Sequence, residues 1–320
     1  MKTGQLMAAT AAAATTVLAA TLLAGPAKAE VPEACRTVTF SDVGWTDITA
    51  TTALTTTVLE GLGYETDTEV LSVPVTYASM RNGDVDVFLG NWMPTMEADL
   101  APYREDGSVE VVKANLEGAK YTLATLRYTA DEGLTDFADI AAFADRLDDR
   151  IYGIEPGNDG NRLIQDMIDG DLFGLSDFEV VESSEQGMLS QVRRAERSED
   201  PVVFLAWEPH PMNANHEIVY LTGGDEVFGP DFGGATVYTN VRAGYLEECE
   251  NVGRLLSNLT FTLEMENEVM GAILDEGEDP SDAAEAWLKA NPGTLDGWLA
   301  EVTTIDGEPG LPAVKESLGL

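Results

Sequence analysis

Three of the chain's five tryptophans follow short apolar runs that have the composition of β-strands. Trp45, Trp92 and Trp207 each come at the end of such a run, in what we expect to be a turn rich in Gly, Pro, Asp and Asn. Loops at the carboxyl ends of strands are where open α/β sheets bind ligands. Several aromatic faces brought together there form a cage that can hold a quaternary ammonium cation. The pattern therefore predicts an aromatic cation site, although core packing stays the alternative for each tryptophan taken singly.

Two polar residues could complete such a site. Asp47 lies two residues after Trp45, and Asn158 lies in the loop 155–160, between a predicted strand and a predicted helix. A carboxylate and an amide would suit a cation that carries a hydroxyl group. Asp47 also stands where the helix predicted over 48–62 needs an N-cap, so a capping role remains open beside the binding role.

The motifs of common enzyme classes are missing from the sequence. It contains no Gly-x-Ser-x-Gly elbow, no Walker-type phosphate loop and no Gly-x-Gly-x-x-Gly fingerprint. His210 and His216 have no cysteine or serine nucleophile nearby, and we expect both to be structural. Neither cysteine has a ligand partner at metal-site spacing. The sequence favours a binding protein without metal or cofactor over an enzyme.

The segments that must position these residues alternate between strand-like and helix-like patterns. Such alternation predicts an α/β fold with mostly parallel sheets. After the first 29 residues about 290 remain, which is more than one hydrophobic core usually accommodates, so we expect two lobes. We place lobe A at 30–117 and 223–320, and lobe B at 118–222.

The first residues predict an export signal rather than a retained anchor. Lys2 precedes an apolar run that extends to Ala24, and Ala27-Lys28-Ala29 is a small-x-small cleavage pattern. We therefore expect a signal peptide at 1–29, cleavage after Ala29, and a periplasmic protein. Two cysteines of an exported protein usually pair. A Cys35–Cys249 disulfide follows, with two buried free thiols as the alternative.

The charge balance is strongly acidic. The sequence has 57 Asp and Glu against 18 Lys and Arg, for a formal net charge of −39 at pH 7. This charge argues against nucleic acid and anionic lipid as partners. A saline habitat explains it better than a specific acidic site does, although the field would also draw cations toward the protein.

Four segments carry a resemblance to a known family: FSDVGWTDITATTA, VFLGNWMPTMEAD, YGIEPGNDGNRLIQDMI and VFLAWEPHPMN. Together they resemble the choline-binding members of the glycine betaine/proline-betaine substrate-binding proteins of bacterial ABC importers. The resemblance covers essentially the whole chain after residue 29. It implies a two-lobed type II periplasmic binding fold that closes on its ligand about a hinge. It also implies delivery of the ligand to a permease in the inner membrane, and we expect a monomer.

The resemblance further implies which residues bind the ligand. The family's aromatic box around the trimethylammonium group corresponds here to Trp45, Trp92, Tyr121 and Trp207. The aspartate and asparagine that hold the choline hydroxyl correspond to Asp47 and Asn158.

Asp47 bears on the choice among quaternary amines. Glycine betaine brings its own carboxylate, which Asp47 would repel, and Arg162 is the one basic residue within the four segments. We therefore expect choline to bind in preference to betaine. The alternatives are a betaine or carnitine receptor with the same box, an enzyme acting on a quaternary amine, and a structural envelope protein.

Overall fold

A computed structural model describes Met1 and residues 31–320. The predicted signal peptide beyond Met1 and its cleavage site lie outside the described residues. In the described part, the strands are β1 (Thr37–Asp42), β2 (Glu65–Val70), β3 (Val87–Met93), β4 (Val109–Leu126), β5 (Arg150–Tyr152), β6 (Glu179–Val181), β7 (Phe204–Glu208), β8 (Ile218–Tyr220) and β9 (Gly234–Arg242).

Helices separate most of these strands and form the C-terminal part of the chain. The α-helical segments are α1 (Thr46–Gly61), α2 (Val73–Asn82), α3 (Glu97–Glu105), α4 (Arg127–Asp131), α5 (Ala144–Leu147), α6 (Asp159–Asp169), α7 (Glu185–Ser198), α8 (Met212–Asn215), α9 (Asp225–Phe228), α10 (Pro230–Gly233), α11 (Tyr245–Glu248), α12 (Glu250–Asn258), α13 (Leu263–Gly271), α14 (Pro280–Ala290), α15 (Thr294–Trp298) and α16 (Gly310–Ser317). Short 3₁₀ segments lie at Glu33–Cys35, Phe137–Phe143 and Leu172–Gly174, and a π-turn at Ala272–Glu276.

The strands form one mixed sheet with the order β2-β1-β3-β9-β4-β7-β5-β6, and β8 adds to β4. The outer pairs are parallel, namely β1 with β2 and β3, and β5 with β6 and β7. The expectation of mostly parallel sheets was wrong for the centre, where β4 and β9 pair antiparallel with each other and with β3, β7 and β8. These two long strands lie between the two outer groups, and each of them runs opposite to the strands that it pairs with.

β4 changes its partners midway along its length. Residues 109–120 pair with β9, whereas residues 120–124 pair with β7 and 124–126 with β8. Lys120 is opposite both Gly234 of β9 and Glu208 of β7, so it marks the point where the strand passes from one group to the other. The predicted lobe boundaries at 117/118 and 222/223 fall near the two crossings and stay a prediction.

Helix α1 is buried along much of its length by the strands and helices around it. Leu54, Val58 and Leu59 are fully buried, and the helix packs on β1, β3, α13, α14 and α16. Two of its buried threonines pair their hydroxyls within the helix, since those of Thr51 and Thr55 donate to the carbonyls four residues earlier at 3.0 and 2.8 Å. The hydroxyl of Thr52 is buried without a partner. This packing fixes the helix whose first turn carries two of the predicted site residues.

The predicted disulfide is confirmed. Cys35 and Cys249 are bonded, with a sequence separation of 214 residues. A cross-link over a loop of that length stabilises a protein by about 5 kcal/mol in the chain-entropy description. Both half-cystines lie in segments predicted to form lobe A, and they hold the first described segment against the α11–α12 junction. Among the described residues, no helix is both long and apolar enough to cross a bilayer.

Candidate functional site

The three site tryptophans do not all lie in turns. Trp92 is within β3 and Trp207 is within β7, so the expectation that the strand ends before each of them was wrong. Only Trp45 lies outside a strand, immediately before α1. The polar Asn91 does not end β3, because its amide is buried, accepts from Tyr77 Oη at 3.3 Å and donates to Asn240 Oδ1 at 3.3 Å.

All six predicted site residues line one small cavity, of about 10 Å³. On the predicted boundaries, Trp45, Asp47 and Trp92 belong to lobe A, and Tyr121, Asn158 and Trp207 belong to lobe B. The complete lining is Trp45, Asp47, Trp92, Tyr121, Ile154, Asn158, Asp159 and Trp207. Each of the six predicted residues is at most 5% exposed.

The aromatic rings enclose the cavity rather than stack on one another. The Tyr121 centroid lies 6.0 Å from that of Trp92 and 6.3 Å from that of Trp207, with interplanar angles of 60° and 76°. Gly160 makes this arrangement possible, because a Cβ there would lie 2.1 Å from Tyr121 Oη. Rings set at such angles leave ring surface free for a guest, which is the geometry that a cation–π site needs.

Asp47 does not cap α1. Trp45 is the N-cap residue, and Asp47 lies in the first turn with its side chain in the cavity lining. Its Oδ2 accepts from Trp92 Nε1 at 3.1 Å, but its Oδ1 is buried without a hydrogen-bond partner. Burial, and then the nearby Glu185 carboxylate, raises the pKa of Asp47 to about 8. A buried acceptor without a donor is unfavourable, so this oxygen is suited to a donor or a cation from a ligand.

Asn158 is held within its own lobe. It is the N-cap of α6, and its Oδ1 accepts from Asn161 N at 3.1 Å and from Tyr121 Oη at 2.9 Å. Its Nδ2 donates to Asp159 Oδ1 at 3.3 Å. The cap of α6 thus fixes both the amide and the tyrosine ring.

Two further acids of the 155–160 loop belong to the site, and the sequence analysis did not single them out. Asp159 lines the cavity with Oδ2 unpartnered, and burial raises its pKa to about 6. Glu155 accepts from Trp45 Nε1 at 2.7 Å, and burial raises its pKa to about 7. The loop follows a strand and precedes a helix, and this context could have identified both acids.

The described residues that line the cavity include no lysine and no arginine. Arg162, the nearest basic residue in sequence to the loop, instead donates across the cleft to Asp99 Oδ2 at 2.8 Å and to the Thr95 carbonyl at 3.2 Å. Glu266 of α13 is also buried, and its burial and the charge of Asp47 raise its pKa well above the usual value. The site is therefore electrostatically one-sided, with acids but no internal counter-charge at the cavity wall.

A buried acid of lobe B also reaches the start of α1. Glu185 Oε2 accepts from Thr46 N at 2.8 Å, and its Oε1 accepts from Thr46 Oγ1 at 2.6 Å. The same Oε1 lies 3.2 Å from His210 Nε2, while His210 Nδ1 accepts from Met212 N at 2.9 Å. The sequence offered no signal for Glu185, because Thr46 lies 139 residues away from it. His210 was expected to be structural, and it lies against Trp207 with ring centroids 4.9 Å apart.

The family described as OpuAC, "Substrate binding domain of ABC-type glycine betaine transport system", matches residues 36–290. The chain belongs to this family. The resemblance noted from the four sequence segments is thereby confirmed. OpuAC proteins serve transport as substrate-binding components and are not enzymes.

Solved structures extend this assignment. A structure described as "ABC-transporter choline binding protein in complex with choline" is 69% identical, covers 90% of this chain and 100% of its own, and has a TM-score of 0.89. The same kind of protein in an "unliganded semi-closed conformation" gives 69% identity over the same shares and a TM-score of 0.84. A protein of Chromohalobacter salexigens described as "Uncharacterized protein ORF1" is 58% identical over 129 residues, or 40% of this chain and 83% of its own. The type II binding-protein fold expected from the sequence is confirmed by these similarities.

Proposed function

We propose that this chain is the extracytoplasmic binding component of an ABC importer and that it captures choline between its two lobes. The observation that carries the proposal is the cavity itself. Four aromatic side chains surround it, two acids and an amide complete its wall, and none of its described lining residues is basic. The 69% identity to a choline-binding protein supports the same ligand.

The aromatic walls suit the trimethylammonium group. A quaternary ammonium has no N–H to donate, and it is attracted to ring faces by about 0.5 to 2 kcal/mol per contact, depending on desolvation. Four walls contribute roughly 2–8 kcal/mol before the burial of the methyl groups, without strict additivity. Micromolar binding corresponds to about 8 kcal/mol, so these walls can supply most of it.

The polar end of the cavity suits the hydroxyl of choline. Asp47 Oδ1 lacks a donor in the described structure, and the choline hydroxyl can provide one. Glycine betaine carries a carboxylate in place of this hydroxyl. In a cavity with Asp47 and Asp159 in its lining and no described basic residue there, that carboxylate has no counter-charge. The ligand preference follows from this difference.

In the mechanism we propose, lobes A (30–117 and 223–320) and B (118–222) close about the crossing strands β4 and β9. The site is then complete only in the closed form, with three of its six predicted residues on each lobe. We further propose that residues 1–29 direct export and are removed after Ala29, that the protein acts as a periplasmic monomer, and that it releases choline to a permease in the inner membrane.

Isothermal titration of the purified protein with choline and with glycine betaine tests the proposal. We expect choline to bind with a dissociation constant in the micromolar range or below, and betaine to bind at least about tenfold more weakly, or 1.4 kcal/mol. Equal affinity for betaine would replace choline with the broader betaine class. Absence of binding by both would remove the binding function, and turnover of a choline ester would indicate an enzyme.

A further inference from the structure

We propose that Glu185 is a closure latch, a positioning residue that joins the two lobes around the bound ligand. The inference rests on the proposed function, since a latch has a role only if the lobes close on a ligand. Glu185 itself is absent from the cavity lining. It acts through Thr46 on one lobe and through His210 on the other.

Thr46 is the point at which a bond across the cleft affects the site most directly. It lies between Trp45 and Asp47, so any contact that fixes its backbone also fixes the two side chains beside it. The first amides of a helix have no partner within the helix. The N-cap residue Trp45 makes no side-chain capping bond to these amides, and the acceptor for the Thr46 N–H is Glu185 of the other lobe.

The same carboxylate is tied to the opposite wall of the box. His210 Nδ1 accepts from the Met212 N–H, so its Nε2 carries the hydrogen and donates to Glu185. The His210 ring meets the Trp207 ring at 68°. Glu185 therefore contacts the immediate support of box residues from both lobes, and it is completely buried while doing so.

When the lobes separate, the bonds between Glu185 and Thr46 break, and both groups become available to water. The Glu185–His210 bond lies within lobe B and can persist. The latch thus contributes to the closed form and not to the encounter with ligand. Its loss should accelerate dissociation and leave association nearly unchanged.

The chain offers a matched control on the same helix. Glu196 of α7 pairs with His216 at 2.9 Å, so it repeats the glutamate–histidine pair of Glu185 and His210. The side chain of Glu196 is 41% exposed and both partners belong to lobe B. It has the same chemistry without the bond across the cleft.

The test is stopped-flow tryptophan fluorescence of choline association and dissociation. Glu185→Ala should raise koff by about 10- to 100-fold, as expected for charge-assisted hydrogen bonds, with kon within about threefold of the wild type. Glu185→Gln can still accept from the Thr46 N–H, so its koff should lie between those of the wild type and of Glu185→Ala. Thr46→Val, on the other lobe, should raise koff by about threefold, and Glu196→Gln should leave both rates unchanged.

A double-variant comparison separates a latch from a purely structural glutamate. Combined with Glu185→Ala, Thr46→Val should add little, because the partner is already gone. A wild-type koff in Glu185→Ala, or effects of the two variants that simply add, would overturn the latch. If Glu185→Ala does not fold by circular dichroism, the Gln and Thr46 variants decide by the same criterion. Wild type that does not respond to choline would instead overturn the proposed function, and the latch with it.

Discussion

The two halves of the site are built in different ways. In lobe B, Asn158 caps α6 and accepts from Tyr121, so its polar groups are paired within the lobe. In lobe A, Trp45 finds its acceptor on Glu155 of lobe B, and Asp47 keeps one oxygen without a donor. Lobe B thus supports its amide and tyrosine ring internally, although Asp159 Oδ2 and Trp207 Nε1 lack partners there too. The polar groups of the lobe A half are completed from the other lobe or by the ligand.

This difference in hydrogen bonding between the two halves has an energetic consequence. A pair formed within one lobe, such as Asn158 with Tyr121, loses little freedom on binding, while an unpaired buried carboxylate oxygen opposes an empty closed cavity. Closure without a ligand is therefore unfavourable at the lobe A side. A cation that enters the cavity removes this obstacle, and the same unpaired charge couples binding to closure.

Removing a wall of the box should have the largest effect on affinity. Trp207→Ala deletes an aromatic face of the lobe B half, and we expect the choline dissociation constant to rise at least about 100-fold, or 2.7 kcal/mol. Titration calorimetry measures it, and Trp287→Ala, a tryptophan that hydrogen bonds to Glu268 outside the cavity lining, is the control. Unchanged affinity in Trp207→Ala would remove this residue from the site.

Neutralising Asp47 should have the next largest effect, on affinity and on closure alike. Asp47→Asn removes the charge beside the bound cation, so we expect choline binding to weaken about 10- to 50-fold. It should also raise the closed fraction of the ligand-free protein at pH 7, because an asparagine, unlike Asp47, needs no proton uptake to be buried in the empty closed cavity. Small-angle scattering of the ligand-free protein reports that fraction.

The pH dependence of the wild type follows from the buried acids of the site: from Asp159 and Glu155, whose pKa values burial raises to about 6 and about 7, and above all from Asp47. Its pKa is about 8 in the closed cavity, against the ordinary value of 3.8, so the empty closed form binds more protons than a solvated one. Closure without ligand is thus most favourable at low pH, and the advantage is lost as the pH rises from about 4 through about 8. The charge of Glu185 adds to the rise in the pKa of Asp47, whereas the hydrogen bond from Trp92 lowers it. The neighbouring Glu266 has a raised pKa of its own, caused by burial and by the charge of Asp47. A closed fraction that stays constant across this interval would contradict the contrast between the halves.

Tyr121→Phe should change the affinity for choline less than Trp207→Ala and Asp47→Asn do. The ring remains, and Asn158 keeps its bond from the Asn161 N–H, so lobe B retains its internal support. We expect the choline dissociation constant to change by less than about threefold. A loss of tenfold or more by calorimetry would mean that lobe B, too, depends on a single contact.

Local sequence context and the resemblance predicted six of the eight residues that line the cavity, but not Ile154 and Asp159, and not the secondary structure of Trp92 and Trp207. These six aromatic and polar residues were identified from turn chemistry and from the resemblance. Trp92 and Trp207 were nevertheless placed in turns, because Gly90, Asn91 and Glu208 read as strand ends. The Asn91 side chain is hydrogen bonded within the core, and Glu208 pairs with β4 in the sheet, so tertiary contacts override the local signal. Their roles in binding stay a prediction.

The connections between the lobes could not be predicted from the sequence. Glu155, Glu185 and Arg162 each bond to a residue at least 63 positions away, and no local pattern encodes such pairs. The capping role left open for Asp47 was wrong for the same reason. Thr46 receives its acceptor from the other lobe, which only the folded chain brings there.

The disulfide encloses more than the segment it fastens. All residues from 36 to 248, including the whole of lobe B and both crossing strands, lie between its two half-cystines. A protease that cuts a loop of lobe B therefore opens a ring and does not divide the molecule. The nicked protein would migrate as one species on a non-reducing gel and as two fragments after reduction. In a compartment rich in proteases, a single cut would leave both halves of the site covalently joined.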